Sequence, residues 1–128
     1  MSKFAIFAFN GDPMCFIHVL LNALDLKDKG HDVAVVVEGS SVKLVGPLSG
    51  GPGLEDLKAA KPAMFDLLKT NFGKVRDAGL VDAVCRACSK QLGVLDSVEA
   101  SGLPLSGDMS GHPAMASYIA EGFSIITF

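Results

Sequence analysis

The chain has 128 residues, 49% hydrophobic and 20% charged, with a formal net charge of −3. Its length suits one domain with one sizeable core, and its 11 scattered basic residues form no aromatic-basic stripe, which excludes the footprint of a nucleic-acid binder. Mean hydropathy is positive, yet no apolar run reaches the roughly 18 residues of a membrane span.

Residues 1–9 lack the charged, apolar and cleavage regions of a signal peptide. A cytoplasmic chain without membrane contact is expected, its surplus apolar surface covered by self-association. Residues 3–9 (KFAIFAF) read as a strand buried on both faces. Asn10, Gly11, Asp12 and Pro13 break it. Asp12 is an N-cap candidate with Pro13 at the first helical position, and Phe16, Ile17, Leu20, Leu21 and Leu24 then keep helical spacing opposite His18, Asn22 and Asp25. That helix closes at Gly30, and residues 32–37 (DVAVVV) read as a second buried strand.

Gly30, Gly79, Gly102 and Gly122 each stand where a helix would close, and each precedes a short run: residues 32–37, 80–84, 103–105 and 123–127. Glycine accepts the left-handed conformation of a helix C-cap, so the punctuation repeats a helix, glycine, strand unit. Between the second and third strands, residues 41–48 read as a short helix, residues 50–53 as a loop, and residues 54–78 as helical with a restart at Pro62. Alternating elements predict a flavodoxin-like three-layer α/β sandwich over residues 1–128, with five parallel strands in the order 2-1-3-4-5.

Ligands of open α/β sheets sit beyond the carboxyl ends of the strands at a switch point, which that order places between strands one and three. Asn10, Gly11, Asp12 and Cys15 would then face Cys85 and Cys88 across the crevice. Cys85 and Cys88 form a C-x-x-C pair after a strand, and the helix start with Arg86 and Lys90 favours a thiolate. Three cysteines are an odd number, which speaks against a disulfide framework. Packing, metal binding and thiol chemistry remain open readings of the pair. A zinc site would need completion from Cys15, His18, Asp108 or His112, none of which forms a second tight pair, so no metal or cofactor is expected. Residues 106–112 (SGDMSGH) form the loop after strand four, from which Asp108 and His112 could reach the cysteines. His18 and His31 read as surface residues. No Walker or dinucleotide glycine pattern is present.

The strand ending DAVC, the C-x-x-C helix followed by Gly93 and Val94, the strand at Leu103 and the terminal EGFSIITF resemble the DsrE/DsrF-like family, which includes TusD-like sulfur-relay proteins. The resemblance implies a persulfide on a cysteine at the end of the third strand, eight residues before a glycine, the place held by Cys85 relative to Gly93. Cys88 is then an auxiliary thiol. It also implies trimers or hexamers, and sulfur donors and acceptors as partners, whether proteins or small sulfur compounds. Two alternatives are a non-catalytic assembly subunit with structural or metal-binding cysteines, and a dithiol oxidoreductase.

Overall fold

A computed structural model describes residues 2–128; Met1, the first residue of the stretch read for a leader pattern, lies outside them. Strand β1 (Lys3–Ala8) leads to helix α1 (Pro13–Asp28) and strand β2 (Asp32–Val37). A single 3-10 turn (Gly39–Ser41) then opens α2 (Val42–Leu48), followed by α3 (Glu55–Ala60), α4 (Pro62–Asp77) and β3 (Val81–Cys85). The chain continues through α5 (Arg86–Gln91), α6 (Leu95–Ser101), β4 (Leu105–Ser106), α7 (Met115–Ala120) and β5 (Ser124–Thr127). Among the described residues no helix is long and apolar enough to cross a membrane.

All strand pairings are parallel, and the flavodoxin-like class fits. The order is 4-3-2-1-5, which corrects the expected 2-1-3-4-5. The chain steps in one direction from β1 to β4, and right-handed crossovers therefore lay the connecting helices on one face. Only the return to β5 runs the other way, and it puts α7 on the opposite face. β2 thus separates β1 from β3 and fills the crevice expected between them.

The layers are unequal. One face of the sheet packs Ile6, Ala8, Val35, Val37 and Val84 against Phe16 and Leu20 of α1, Val45 of α2, Leu68 and Phe72 of α4, and Val98 of α6. Each large apolar side chain buried there stabilises the fold by about 1.5–3 kcal/mol. The other face is built from Ala5, Phe7, Ala34, Val36 and Ala83, with Tyr118 of α7 as its main cover. Its three alanines leave little relief, so one short helix suffices.

The Tyr118 hydroxyl donates to Asp82 Oδ2 over 2.5 Å, tying α7 to β3. Burial first, and then the Asp82 carboxylate, hold the phenol above its ordinary value. A folded-state value above the unfolded one of roughly 10 means this contribution is full below that pH and is lost as pH rises through the folded value. Tyr118 is the only tyrosine and the chain has no tryptophan, so ultraviolet titration reads it alone. Tyrosinate absorbance should emerge later than for free tyrosine and together with loss of helical circular dichroism, whereas Asp82→Asn should bring it down towards the free value.

Candidate functional site

The carboxyl ends of β2 and β3 and the loop before α7 converge on four side chains. Cys85 is the N-cap of α5, its Sγ accepting the Cys88 N–H at 3.3 Å. One helical turn on, Cys88 faces the same space. Ser89, buried, donates its hydroxyl to the Cys85 carbonyl at 2.7 Å and fixes the bend from strand to helix.

The loop 107–112 supplies the third member. The Ala87 N–H donates to the Gly111 carbonyl at 2.9 Å, and Met109 and His112 exchange backbone bonds of 2.7 and 2.8 Å. Gly111 has φ +90, and a Cβ there would meet the Ala87 Cβ at 3.0 Å, so only glycine lets this loop lie on α5. His112 is thereby delivered with Nδ1 at 3.1 Å from Cys85 Sγ and 3.6 Å from Cys88 Sγ.

Glu38, directly after β2, is the fourth. Its side chain is 7% exposed and Oε1 lies 3.9 Å from His112 Nδ1. Burial raises its carboxyl above the usual range, against the opposing pull of His112 and of a hydrogen bond from Cys85. Sequence reasoning missed this residue. Its signal was a lone acid closing an apolar strand (DVAVVVE), at a strand end where α/β folds keep their chemistry.

The open thiolate expected at position 85 is corrected by the structure. Cys85 has 0% exposure, and burial pushes its thiol up to about 12, with the neighbouring Cys88 and Glu38 adding to the rise against the Cys88 N–H bond that lowers it. The His112 imidazole is the titratable ring nearest this thiol. Cys88 is half-buried. Above the cluster opens a cavity of about 430 Å³ whose wall includes Glu38, His112, Phe9 and Met109.

Other expected site residues lie elsewhere. Asn10 accepts from the Asp12 N–H at 2.8 Å, and Asp12 caps α1 by accepting from Met14 N–H at 2.7 Å. That loop borders a separate cavity of about 340 Å³ with Asp56 and Met64. Gly11 packs on the 3-10 turn, where a Cβ would meet the Ser40 carbonyl oxygen at 2.8 Å. Cys15 is half-buried in the first turn of α1 and takes no part in the four-residue cluster, because β2 stands between β1 and β3. Arg86 is exposed at the start of α5. Asp108 is exposed and turned towards α7, accepting from Ala114 N–H and Ser117 Oγ at 2.9 Å each, bonds that lower its carboxyl with Ser117 first. Of the loop's two candidates only His112 reaches the cysteines. His18 is exposed, and the half-buried His31 accepts from Ser2 N–H.

These exposures order the thiols. In the native protein a small alkylating reagent should label Cys15 and Cys88 first and Cys85 last, and in denaturant all three at similar rates. Peptide mass analysis of timed aliquots checks this.

Two relatives match the chain over different extents. MJ0733 of Methanocaldococcus jannaschii, described only as an uncharacterized protein, is 32% identical over 110 residues, which cover 86% of this chain and 77% of that protein. An uncharacterized protein of Archaeoglobus fulgidus is 38% identical over 39 residues, 30% of this chain, and the match spans 64% of that relative's length. The model of the DsrE/DsrF-like family matches residues 4–128, from β1 to the C-terminal strand and through all four members of the cluster. The chain belongs to the DsrE/DsrF-like family.

Proposed function

We propose that this chain is a carrier of sulfane sulfur, holding it as a persulfide on Cys85 with Cys88 as auxiliary thiol. The observation that carries this reading is the 3.1 Å approach of His112 Nδ1 to Cys85 Sγ at the end of β3. An imidazole at that distance can take the thiol proton, and the thiolate is the form that attacks sulfur. His112 is one-third exposed and stands between Cys85 and the cavity. A donor arriving there meets the imidazole first.

In the loading step Cys85 transfers its proton to His112, the thiolate attacks the outer sulfur of a donor persulfide R–S–S⁻, and a new S–S bond forms as the old one breaks. The proton passes to the leaving thiolate, giving R–SH and Cys85–S–S⁻. An acceptor thiol reverses the sequence and carries the sulfur away. Where no acceptor is present, Cys88 can attack Cys85, forming a disulfide and releasing hydrogen sulfide.

Donor and acceptor, whether small sulfur compounds or proteins, are the partners this reading needs. The setting is a cytoplasmic, single-domain subunit of a homo-trimer or hexamer. Phe9, Met109 and Ile119, at 37%, 51% and 59% exposure, supply apolar surface suited to self-association.

The test is intact mass after incubation of the reduced protein with a persulfide donor or thiosulfate. One added sulfur atom, located to the Cys85 peptide and removed by a reductant, supports the proposal. No gain in mass, or a gain on Cys15 alone, defeats it.

A further inference from the structure

We infer that Glu38, Cys85, Cys88 and His112 form a binding site for one thiophilic divalent cation of zinc's class, held tetrahedrally by two sulfurs, one imidazole nitrogen and one carboxylate oxygen. One ligand atom from each residue lies within 4.8 Å of all the others. Bond lengths of about 2.3 Å to sulfur and 2.0 Å to nitrogen or oxygen make the edges of a tetrahedron about 3.3–3.8 Å. The measured separations from His112 Nδ1 are 3.1 Å to Cys85 Sγ, 3.6 Å to Cys88 Sγ and 3.9 Å to Glu38 Oε1. The two sulfur separations lie within about 0.4 Å of such edges, and the carboxylate would close by about 0.6 Å.

The carboxylate is a second, independent pointer. Glu38 is only 5% exposed, and the one basic group facing it among the described residues is His112. A buried carboxylate faced by a single imidazole and a thiol is an electrostatically favourable place for a cation. It also lines the cavity through which an ion would enter. Supports for the ligands are already built: the Cys88 N–H on Cys85 Sγ, the Ser89 hydroxyl on the Cys85 carbonyl, and the paired backbone bonds that fix His112. Two thiolates with one imidazole favour zinc over calcium or magnesium. Of the completions considered from the sequence, His112 is present and Cys15, His18 and Asp108 are not; Glu38 replaces them.

This inference goes beyond the sulfur-carrier reading and does not depend on it. An ion here would hold both sulfurs that a persulfide needs, so metal-loaded and sulfur-loaded protein are alternative states of one site. Binding releases the two thiol protons to the buffer with no change of oxidation state.

The test is anaerobic titration of the reduced full chain with zinc against a chromophoric chelator, and with cobalt as a spectroscopic stand-in. One equivalent of each ion is expected, cobalt giving the intense visible bands of a tetrahedral site with thiolate charge transfer in the near ultraviolet. Glu38→Gln, Cys88→Ser and His112→Ala should each weaken binding by at least about 10–100-fold, the loss reported even for outer-shell partners. Cys15→Ser should bind unchanged. Absence of stoichiometric binding, an octahedral cobalt spectrum, or affinity unchanged in Cys88→Ser and His112→Ala would overturn the inference. If a variant loses its folded circular dichroism, the cobalt spectrum of the unaltered protein decides. Sulfur loading measured in excess chelator separates the proposals: loading without metal binding removes only this inference, and metal binding without loading removes only the carrier reading.

Discussion

Cys85→Ala should fold and take up no sulfur at that site, while Cys15→Ala should load as the unaltered protein does. The contrast follows from placement. Cys85 ends β3 with His112 Nδ1 at 3.1 Å, whereas Cys15 sits in α1 outside the cluster. Loss of the sulfur leaves a small void and removes the cap on the Cys88 N–H, so Cys85→Ala should keep its circular dichroism while melting a few degrees lower. His112→Ala should keep the thiol yet slow loading by about 10²–10⁴-fold, the usual worth of a positioned base. Cys88→Ser should load at a comparable rate and release less hydrogen sulfide in the absence of an acceptor, because the neighbouring thiol that could expel it is gone. Stopped aliquots analysed by peptide mass, with sulfide trapped in parallel, read all of these together. Equal loading of the Cys85→Ala and parent proteins would show that sulfur enters elsewhere.

Gly39→Ala should be a severely damaging addition of a single methyl group, lowering stability by about 2–4 kcal/mol. Gly39 follows Glu38 at the end of β2 and has φ +53, where a side chain is strained. A Cβ there would sit 2.7 Å from the Phe9 carbonyl oxygen, a backbone atom that cannot rotate away. The surroundings are stiff as well. Glu38 N–H donates to the Ala8 carbonyl at 2.8 Å, and the buried Ser41 hydroxyl bonds the carbonyls of Ala8 and Glu38 at 2.5 and 2.6 Å. Relief of the clash must move either the end of β1 or Glu38 itself. The expected fall in melting temperature is roughly 8–16 °C for a domain of this size, measured by calorimetry. Because Glu38 is displaced along with the turn, the variant should also lose the cobalt spectrum of the four-residue cluster even at temperatures where it remains folded. An unchanged melting point would mean that this junction is looser than its hydrogen bonds imply.

Much of the fold was legible because its signals are local. Continuous apolar runs marked β1 and β2, and Asp12 with Pro13 marked the start of α1, where both now stand as N-cap and first residue. Pro62 does restart the helix, separating α3 from α4. Gly30, Gly79, Gly102 and Gly122 all carry positive φ at helix ends. Strand order was illegible, since nothing in a single β-α-β unit states on which side of the first strand the second will lie. That one error of direction carried Asn10, Asp12 and Cys15 into the expected site. The chemistry and spacing of Cys85, Cys88 and His112 marked them as candidates, and the fold brings the three together. Glu38 was overlooked because an acid after a strand is usually a solvated turn residue, and its burial arises from the tertiary approach of His112 and Cys85. The burial of Cys85 itself has the same origin, for a C-x-x-C spacing says nothing about the loop that folds over it.

Phe4 pairs with Ser124 across almost the whole chain, whereas β1, β2 and β3 each find a neighbour in the next strand of the sequence. Contacts that close short stretches form before those that must gather a long one. The topology therefore seats β5 and α7 late, and the imidazole of the preceding loop arrives with them. During synthesis, then, the paired sulfurs of α5 emerge before the loop 107–112 that covers them.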